Sequence, residues 1–153
     1  MTTVRPLKVH ELHDCVPFGQ AFHEELRLAG SFVPQHFVDN WITFLASYPA
    51  VIFGLFKDDV LIGGLGGMIA PDLYDGRLYA QEFFWFIGKE HRVGSGALRL
   101  LRTFERWAID RQATEIRMVH VVGTQADDLE AFYRSLGYAK VEVCYRKPLP
   151  KKD

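Results

Sequence analysis

The sequence predicts a single α/β domain over residues 1–153, built on a mixed central sheet. Its composition, with 48% hydrophobic and 24% charged residues, is typical of a globular domain and differs from that of a disordered or fibrous chain. Three β-rich runs follow one another over 50–87, which favours an antiparallel meander. A helical pattern then separates the last of these runs from a β-rich run at 115–122, which indicates a crossover to a parallel neighbour.

The N-terminal third predicts one strand and two helical regions. Residues 3–9 combine β-branched residues with a proline, which an edge strand tolerates. Apolar residues recur at a loose helical period over 10–28, and Pro17 interrupts them, so we expect a kinked helix or two short ones. Pro34 stands where a first helical residue often does, and the apolar steps after it predict a second helix that ends near Tyr48.

The meander consists of three predicted strands. The runs 50–57 and 60–70 flank Asp58 and Asp59, a two-residue polar break that is typical of a hairpin. The turn contains no glycine, so its type stays open. The run 77–87 is apolar at odd and even positions alike, and we therefore expect helices or loops to cover both faces of this fourth strand.

The second half continues with helical and β patterns. One apolar stripe predicts a helix over 97–111, and 115–122 is the predicted fifth strand. A final helix is predicted over 124–136. Gly137 follows it directly, and we expect this glycine to end the helix with a Schellman cap. The remaining segment, 138–149, reads as one strand or a bent pair. The sheet is thus expected to have six to seven strands, flanked by about four helices.

Charge and cysteine content narrow the classes of protein. Eighteen Lys and Arg against 19 Asp and Glu leave no basic surplus for a nucleic acid. The longest apolar run, 83–87, is too short to cross a membrane, and the N-terminal segment lacks the apolar region of a signal peptide. Cys15 and Cys144 are far apart in sequence, so we expect free thiols in a reducing compartment. These features predict a cytoplasmic protein with no nucleic-acid or membrane partner.

The glycine-rich loop before the third helix is the most informative segment. Closely spaced glycines such as Gly94 and Gly96 let backbone N–H groups approach an anion, and the helix N-terminus adds unpaired donors. The alternative is a tight turn into a packed helix, and the glycines alone do not favour an anion site over it. Neither the Walker A pattern nor a Rossmann G-x-G-x-x-G pattern is present, and the loop follows the fourth strand rather than the first.

The residues of this loop carry a family resemblance. They read His91-Arg92-Val93-Gly94-Ser95-Gly96, followed by Ala97. The string resembles the acyl-CoA signature of the GNAT superfamily of N-acetyltransferases, which is Gln or Arg, two residues, Gly, one residue, then Gly or Ala. His91 departs from the signature. A register shifted by one residue keeps Arg92 at the first position but puts Ser95 where the first glycine belongs, so we prefer the first alignment.

The resemblance implies where acetyl-CoA binds. The loop 91–97 would hold its pyrophosphate, with a charge-assisted contact from His91 or Arg92. The main chain of Phe86 and Ile87, where the fourth and fifth strands splay apart, would pair with the pantetheine arm.

A second string supports the same resemblance. Residues 131–138, Ala-Phe-Tyr-Arg-Ser-Leu-Gly-Tyr, are similar to the closing helix of the family. The resemblance makes Tyr133 the candidate general acid that protonates the departing thiolate. The alternative is that Tyr133 is a core aromatic on an apolar stripe. The asparagine often found earlier in this helix is missing.

Glu82 is the candidate general base. It is the only carboxylate in the strand 79–87, and family members without a strict base motif often use a glutamate on this strand. Burial in an apolar strand would raise its pKa to a value suited to taking a proton from an ammonium group near neutral pH. The alternative is a glutamate at a strand end that faces water.

Other constellations are weaker. His10 and His13 lie at a spacing that a metal could use, but no second cluster matches them, and we predict no metal site. Glu24, Glu25 and Asp39 in the first two helices could attract a cationic amine, although a solvated helix face explains them as well.

The resemblance implies an acyltransferase that moves an acetyl group from acetyl-CoA directly to a primary amine. Glu82 would act as base and Tyr133 as acid. The acceptor, a small molecule or a protein amine, is not identified by the sequence. A homodimer is a further expectation, since dimers are common in the family. The competing interpretation is a non-catalytic module of the same shape that binds CoA or serves assembly.

Overall fold

The computed structural model describes residues 1–120 and 126–152. The chain divides into two units, Met1–Val119 and His120–Asp153. Helix α4 (Ala126–Ser135) belongs to the second unit. The elements of the first unit are β1 (Thr2–Pro6), α1 (Leu12–Glu25), α2 (Pro34–Ser47), β2 (Ala50–Lys57), β3 (Val60–Pro71), β4 (Leu78–Ile87), α3 (Gly96–Asp110) and β5 (Glu115–Arg117), with short 3-10 helices at Val9–Glu11 and Lys89–His91.

The sheet of the first unit is mixed, as the sequence predicts. Its order is β1-β2-β3-β4-β5. The first four strands are antiparallel to their neighbours. β5 then runs parallel to β4, with Tyr79–Gln81 beside Glu115–Arg117. The helix α3 makes the crossover between these two parallel strands.

The predicted strand number was wrong, because the sheet in the described part of the chain has five strands rather than six to seven. The segment 138–149 forms no strand, and its residues Val141, Val143 and Tyr145 are exposed. Its alternating pattern suits a strand, but a strand exists only where a neighbouring backbone supplies hydrogen bonds. Strand β5 is also shorter than predicted, and positions 121–122 of that prediction lie outside the described residues.

Two apolar clusters cover the two faces of the sheet. On one face, Leu100 and Phe104 of α3 are fully buried together with residues of β2, β3 and β4. On the other face, α1 and α2 pack through Leu12 and Trp41. β4 contributes Ala80 to the first cluster and Phe84 to the second, so the prediction that this strand is covered on both faces is confirmed.

The structure resolves two points that the sequence left open. Asp58 and Asp59 adopt φ values of 48° and 65°, the positive pair that a type I′ hairpin requires. The region 10–28 contains one α helix with Pro17 inside it, preceded by a 3-10 turn, rather than two α helices. Proline lacks the backbone donor for its own helical bond, and the packed face of α1 compensates for that loss.

The second unit contains α4 and its cap. Gly137 has a φ of 89°, and the N–H of Tyr138 donates to the carbonyl of Tyr133 at 3.0 Å. This is the Schellman geometry, so the predicted end of the helix is confirmed. Positions 124–125 of the predicted helix lie outside the described residues. Among the helices that the structure describes, none has the length and apolar character needed to span a membrane.

Candidate active site

Strand β4 contains a β-bulge where it pairs with Gly66 and Gly67 of β3. Gly66 pairs with Phe84 and Gly67 pairs with Glu82, which leaves Phe83 as the extra residue on β4. Gly67 allows this approach, because a Cβ atom there would lie 2.5 Å from the carbonyl oxygen of Gln81. Bulges bend a strand and redirect its side chains. Here the bulge brings Glu82 to the point where β4 and β5 separate.

Glu82 connects the two strands beyond their last backbone pair. The recorded pairing of β4 with β5 ends at Gln81 and Arg117. Two residues further along, the backbone N–H of Val119 donates a hydrogen bond of 2.9 Å to Oε2 of Glu82. The carboxyl group therefore lies at the seam between the strands, held by a main-chain donor.

The environment of Glu82 makes it a candidate proton acceptor. Its side chain is buried, with a relative exposure of 2%. Burial raises the pKa of this carboxyl from its ordinary value of 4.5 to about 7, and the hydrogen bond from Val119 opposes only part of that increase. The alternative of a water-facing strand-end glutamate is excluded. A group with a pKa near neutrality can both take up and release a proton at physiological pH.

The loop between β4 and α3 leads into the N-terminal amides of α3. Gly94 has a φ of 100°, a conformation that side chains rarely adopt. Gly96 begins α3 so close to β2 that a Cβ atom would lie 2.7 Å from Cδ2 of Leu55. Ser95 makes no side-chain cap, and no acidic residue lies in the first turn of α3. The first-turn N–H groups, including that of Ala97, have no intrahelical partner and carry the positive end of the helix dipole.

The main chain of β4 presents alternate residues to its two edges. The N–H of Gly88 donates to the carbonyl of Ile62 at 2.9 Å, which sets the hydrogen-bonding pattern with β3. In an antiparallel ladder the main-chain groups of alternate residues face the same neighbour, so Phe86 faces β3, where it pairs with Gly64. Ile87 faces the opposite edge. Of the two residues predicted to contact pantetheine, Ile87 thus has its main chain directed away from β3.

Arg92 is held by a contact that the sequence did not indicate. Its Nη1 and Nη2 donate to Oε1 and Oε2 of Glu25 at 2.8 and 2.7 Å. Its Nε donates to the carbonyl of Ile87 at 2.9 Å. The neighbouring His91 lies 3.4 Å from Glu90. Glu25 and Arg92 are separated by 67 positions, and no local spacing rule relates residues so far apart.

A cleft of about 510 Å³ lies between α1 and the end of β4. This volume is within the range of small-molecule sites, roughly 300–1,000 Å³. Its lining combines apolar and charged residues. The lining residues are Pro17, Phe18, Ala21, Glu24, Glu25, Phe86, Gly88, Lys89 and Glu90.

Aromatic residues surround the bulge on the side of α2. Phe83 is 43% exposed, and its ring stacks on that of Phe44 with the centroids 5.9 Å apart. Trp41 and Phe84 are buried in the core. The alternation of residues along a strand does not distinguish Phe83 from its neighbours in the sequence. The bulge, which the sequence did not predict, directs its ring toward Phe44 of α2.

Tyr133, the candidate acid, lies in the second unit. Its side chain is buried, with a relative exposure of 8%. Its ring centroid lies 5.5 Å from that of Tyr138 and 6.4 Å from that of Phe132. Within its own unit, Tyr133 therefore belongs to the aromatic packing at the end of α4.

The sequence matches a family model. The model described as the acetyltransferase (GNAT) family matches residues 18–138, which include the bulge, the glycine-rich loop and α4. The comparison with curated proteins found no significant match.

Solved structures with this fold include several acetyltransferases. The ribosomal-protein-alanine N-acetyltransferase from Brucella melitensis biovar Abortus 2308 has a TM-score of 0.76 at 16% identity, covering 98% of this chain and 100% of that one. An aminoglycoside acetyltransferase from an uncultured soil metagenomic sample has a TM-score of 0.77 at 15% identity, covering 98% and 99%. AAC(6')-Iy, in complex with the bisubstrate analogue CoA-S-monomethyl-acetylneamine, has a TM-score of 0.76 at 18% identity, covering 97% and 99%. At such identities the likeness shows the fold.

Proposed function

Because the chain belongs to the GNAT acetyltransferase family and is an acyltransferase, we propose that it moves an acetyl group from acetyl-CoA directly to a primary amine. The observation that carries this proposal is the buried Glu82 at the seam of β4 and β5, whose pKa is raised to about 7. The acceptor would be a small molecule or a protein that presents an amine at this seam.

The proposed base is the Glu82 carboxylate. It would take a proton from the ammonium form of the acceptor, which frees the nitrogen lone pair to attack the acetyl carbonyl. The hydrogen bond from Val119 fixes the orientation of the carboxyl group. Tyr133 would donate a proton to the thiolate when the carbon–sulfur bond breaks, and the second proton that the acetylated nitrogen loses would restore the phenol. Acetyl-CoA supplies the activated acetyl group, and the protein contributes mainly by positioning both reactants.

The residues present fit an acyl-CoA donor. The first-turn amides of α3 offer donors to a pyrophosphate, and no carboxylate in that turn opposes the negative charge. We propose that the loop 91–97 makes this contact, and that the main-chain N–H of Ile87, whose carbonyl already accepts from Arg92, pairs with the pantetheine arm. Phe86 would contribute its side chain to the adjoining cleft rather than its main chain.

A non-catalytic module that binds CoA or serves assembly is the second candidate. The buried carboxyl at the seam favours catalysis over this alternative, because a buried acid is costly and a module has no need of one.

We also propose a cytoplasmic location, which the free thiols of Cys15 and Cys144 support. We further propose a homodimer, which light scattering would test.

Thermal unfolding with ligands tests the donor assignment. We expect acetyl-CoA and desulfo-CoA to raise the melting temperature by several degrees, because a ligand at 100 times its Kd adds about 2.7 kcal/mol. ATP at the same concentration serves as the control and should give no comparable shift. A panel of amines would then be assayed for release of the CoA thiol. Equal stabilisation by ATP, or none by either CoA species, would overturn the assignment.

A further inference from the structure

The contact between α1 and the β4–α3 loop is made by Glu25 and Arg92. Glu25 is the last residue of α1, and its carboxylate receives both terminal nitrogens of Arg92 at 2.8 and 2.7 Å. The side chains are 22% and 27% exposed, so the pair is largely shielded from water. The Arg92 hydrogen bonds hold the pKa of the Glu25 carboxyl below its ordinary value. The carboxylate thus stays charged and bound over the physiological pH range.

Two further contacts fix the same guanidinium. Its Nε donates to the carbonyl of Ile87 at 2.9 Å, and its central carbon lies 4.8 Å from the ring centroid of Phe86. Each of the three nitrogens of the planar group therefore donates one hydrogen bond, and together these bonds fix its orientation. Moving Arg92 to a phosphate would break these bonds and leave Glu25 without its partner in a half-buried position, which is unfavourable.

We propose that Glu25 and Arg92 are positioning residues, which fix the β4–α3 loop for acyl-CoA, and that Arg92 does not itself bind the pyrophosphate. This inference rests on the proposed function of the loop. The pair joins the end of α1 to the end of β4 through Ile87, just before the loop enters α3. The helix amides then meet the phosphates, while the clamp keeps the loop in the conformation that presents them.

The chain contains a closely matched ion pair outside the loop. Arg5 of β1 donates to both oxygens of Glu11 at 2.9 and 2.7 Å, donates to the carbonyl of Pro6 and lies over the ring of Phe56. Strand β1 is at the opposite edge of the sheet from β5. The two pairs share the same chemistry, so Arg5 and Glu11 serve as controls for a purely structural effect.

The test compares Glu25→Gln, Arg92→Gln and their double variant with Arg5→Gln and Glu11→Gln. Calorimetric titration with CoA gives the Kd, and steady-state kinetics with acetyl-CoA separate KM from kcat. We expect each change in the clamp to raise the Kd and KM roughly three- to tenfold with kcat unchanged. The double variant should be no worse than either single one, because each removes the same pair. The control variants should lower the melting temperature without changing the KM.

Opposite effects of the two single changes would overturn the inference. If Arg92→Gln weakens CoA binding while Glu25→Gln leaves it equal or tighter, Arg92 is a direct phosphate ligand that Glu25 restrains. An equal rise in KM for the control variants would assign the effect to general stability. A wild-type chain that binds no CoA would overturn both this inference and the proposed function, whereas normal wild-type binding with unaffected clamp variants overturns the inference alone.

Discussion

The Glu82 carboxyl illustrates how burial sets chemistry at a single residue. An exposed glutamate would be ionised throughout the physiological range, but at 2% exposure the charged form loses its hydration. One hydrogen bond from the Val119 amide offsets part of the free-energy cost of removing the carboxylate from water. The remaining cost appears as a pKa of about 7. The residue that suits proton transfer is thus also one that reduces the stability of the fold.

This cost predicts a pH dependence of stability. The folded-state pKa is raised from 4.5 to about 7, so between these values the folded chain holds a proton that the unfolded chain has released. Stability contributed by the protonated form is complete below about pH 4.5 and is lost as the pH rises through about 7. The wild type should lose up to about 3 kcal/mol relative to Glu82→Gln across this window.

Urea unfolding of both proteins at pH 5, 6, 7 and 8 measures the difference. Glu24→Gln, a change at an exposed glutamate of α1, controls for the altered net charge. A constant difference between the wild type and Glu82→Gln at all four values would show that Glu82 does not titrate in this window. It would then be poorly suited to act as a base at neutral pH.

At the scale of elements, the loop between β4 and α3 combines conformational and packing requirements. Gly96 needs space because α3 packs closely on Leu55, whereas Gly94 meets nothing within 4 Å and is required for its φ of 100°. Gly94 is therefore required for the backbone conformation of the loop and not for close packing. If the loop holds pyrophosphate, that path determines where the amides point.

Gly30 provides a matched control for Gly94. Its φ is 78°, and a Cβ atom there also meets nothing within 4 Å, but it lies between α1 and α2. We expect Gly94→Ala and Gly30→Ala each to destabilise the fold by about 1–3 kcal/mol through backbone strain. Only Gly94→Ala should raise the KM for acetyl-CoA, by about tenfold. Equal KM values for the two variants would separate the loop from donor binding.

At the scale of the whole molecule, the sequence predicted the features that depend on residues close together in the chain. Strands β2, β3 and β4 begin and end within one residue of their predicted bounds, because β-rich composition and turn residues are encoded in the segments themselves. The Schellman cap at Gly137 is likewise a local signal. The order of these elements was enough to identify the α/β class.

The features that the sequence did not predict correctly all depend on contacts between residues far apart in the chain. The pattern at 138–149 suits a strand, yet no neighbouring strand pairs with it in the described residues. The bulge at Phe83 depends on the fit of Gly67 against β4 and is invisible to alternation. The ion pair of Glu25 and Arg92 joins positions 67 residues apart. The sequence thus named the residues of the candidate site, but it could not supply their contacts.

The pH dependence of acetyl transfer, compared between the wild type and Glu82→Gln, tests the central claim most directly. With saturating acetyl-CoA and an amine from the panel, kcat/KM for the acceptor should rise with pH and level off above about 7, where Glu82 is ionised. Glu82→Gln should lose this inflection and be slower by about 10²–10⁴-fold. A variant with the rate and pH profile of the wild type would contradict the assignment of Glu82 as the base.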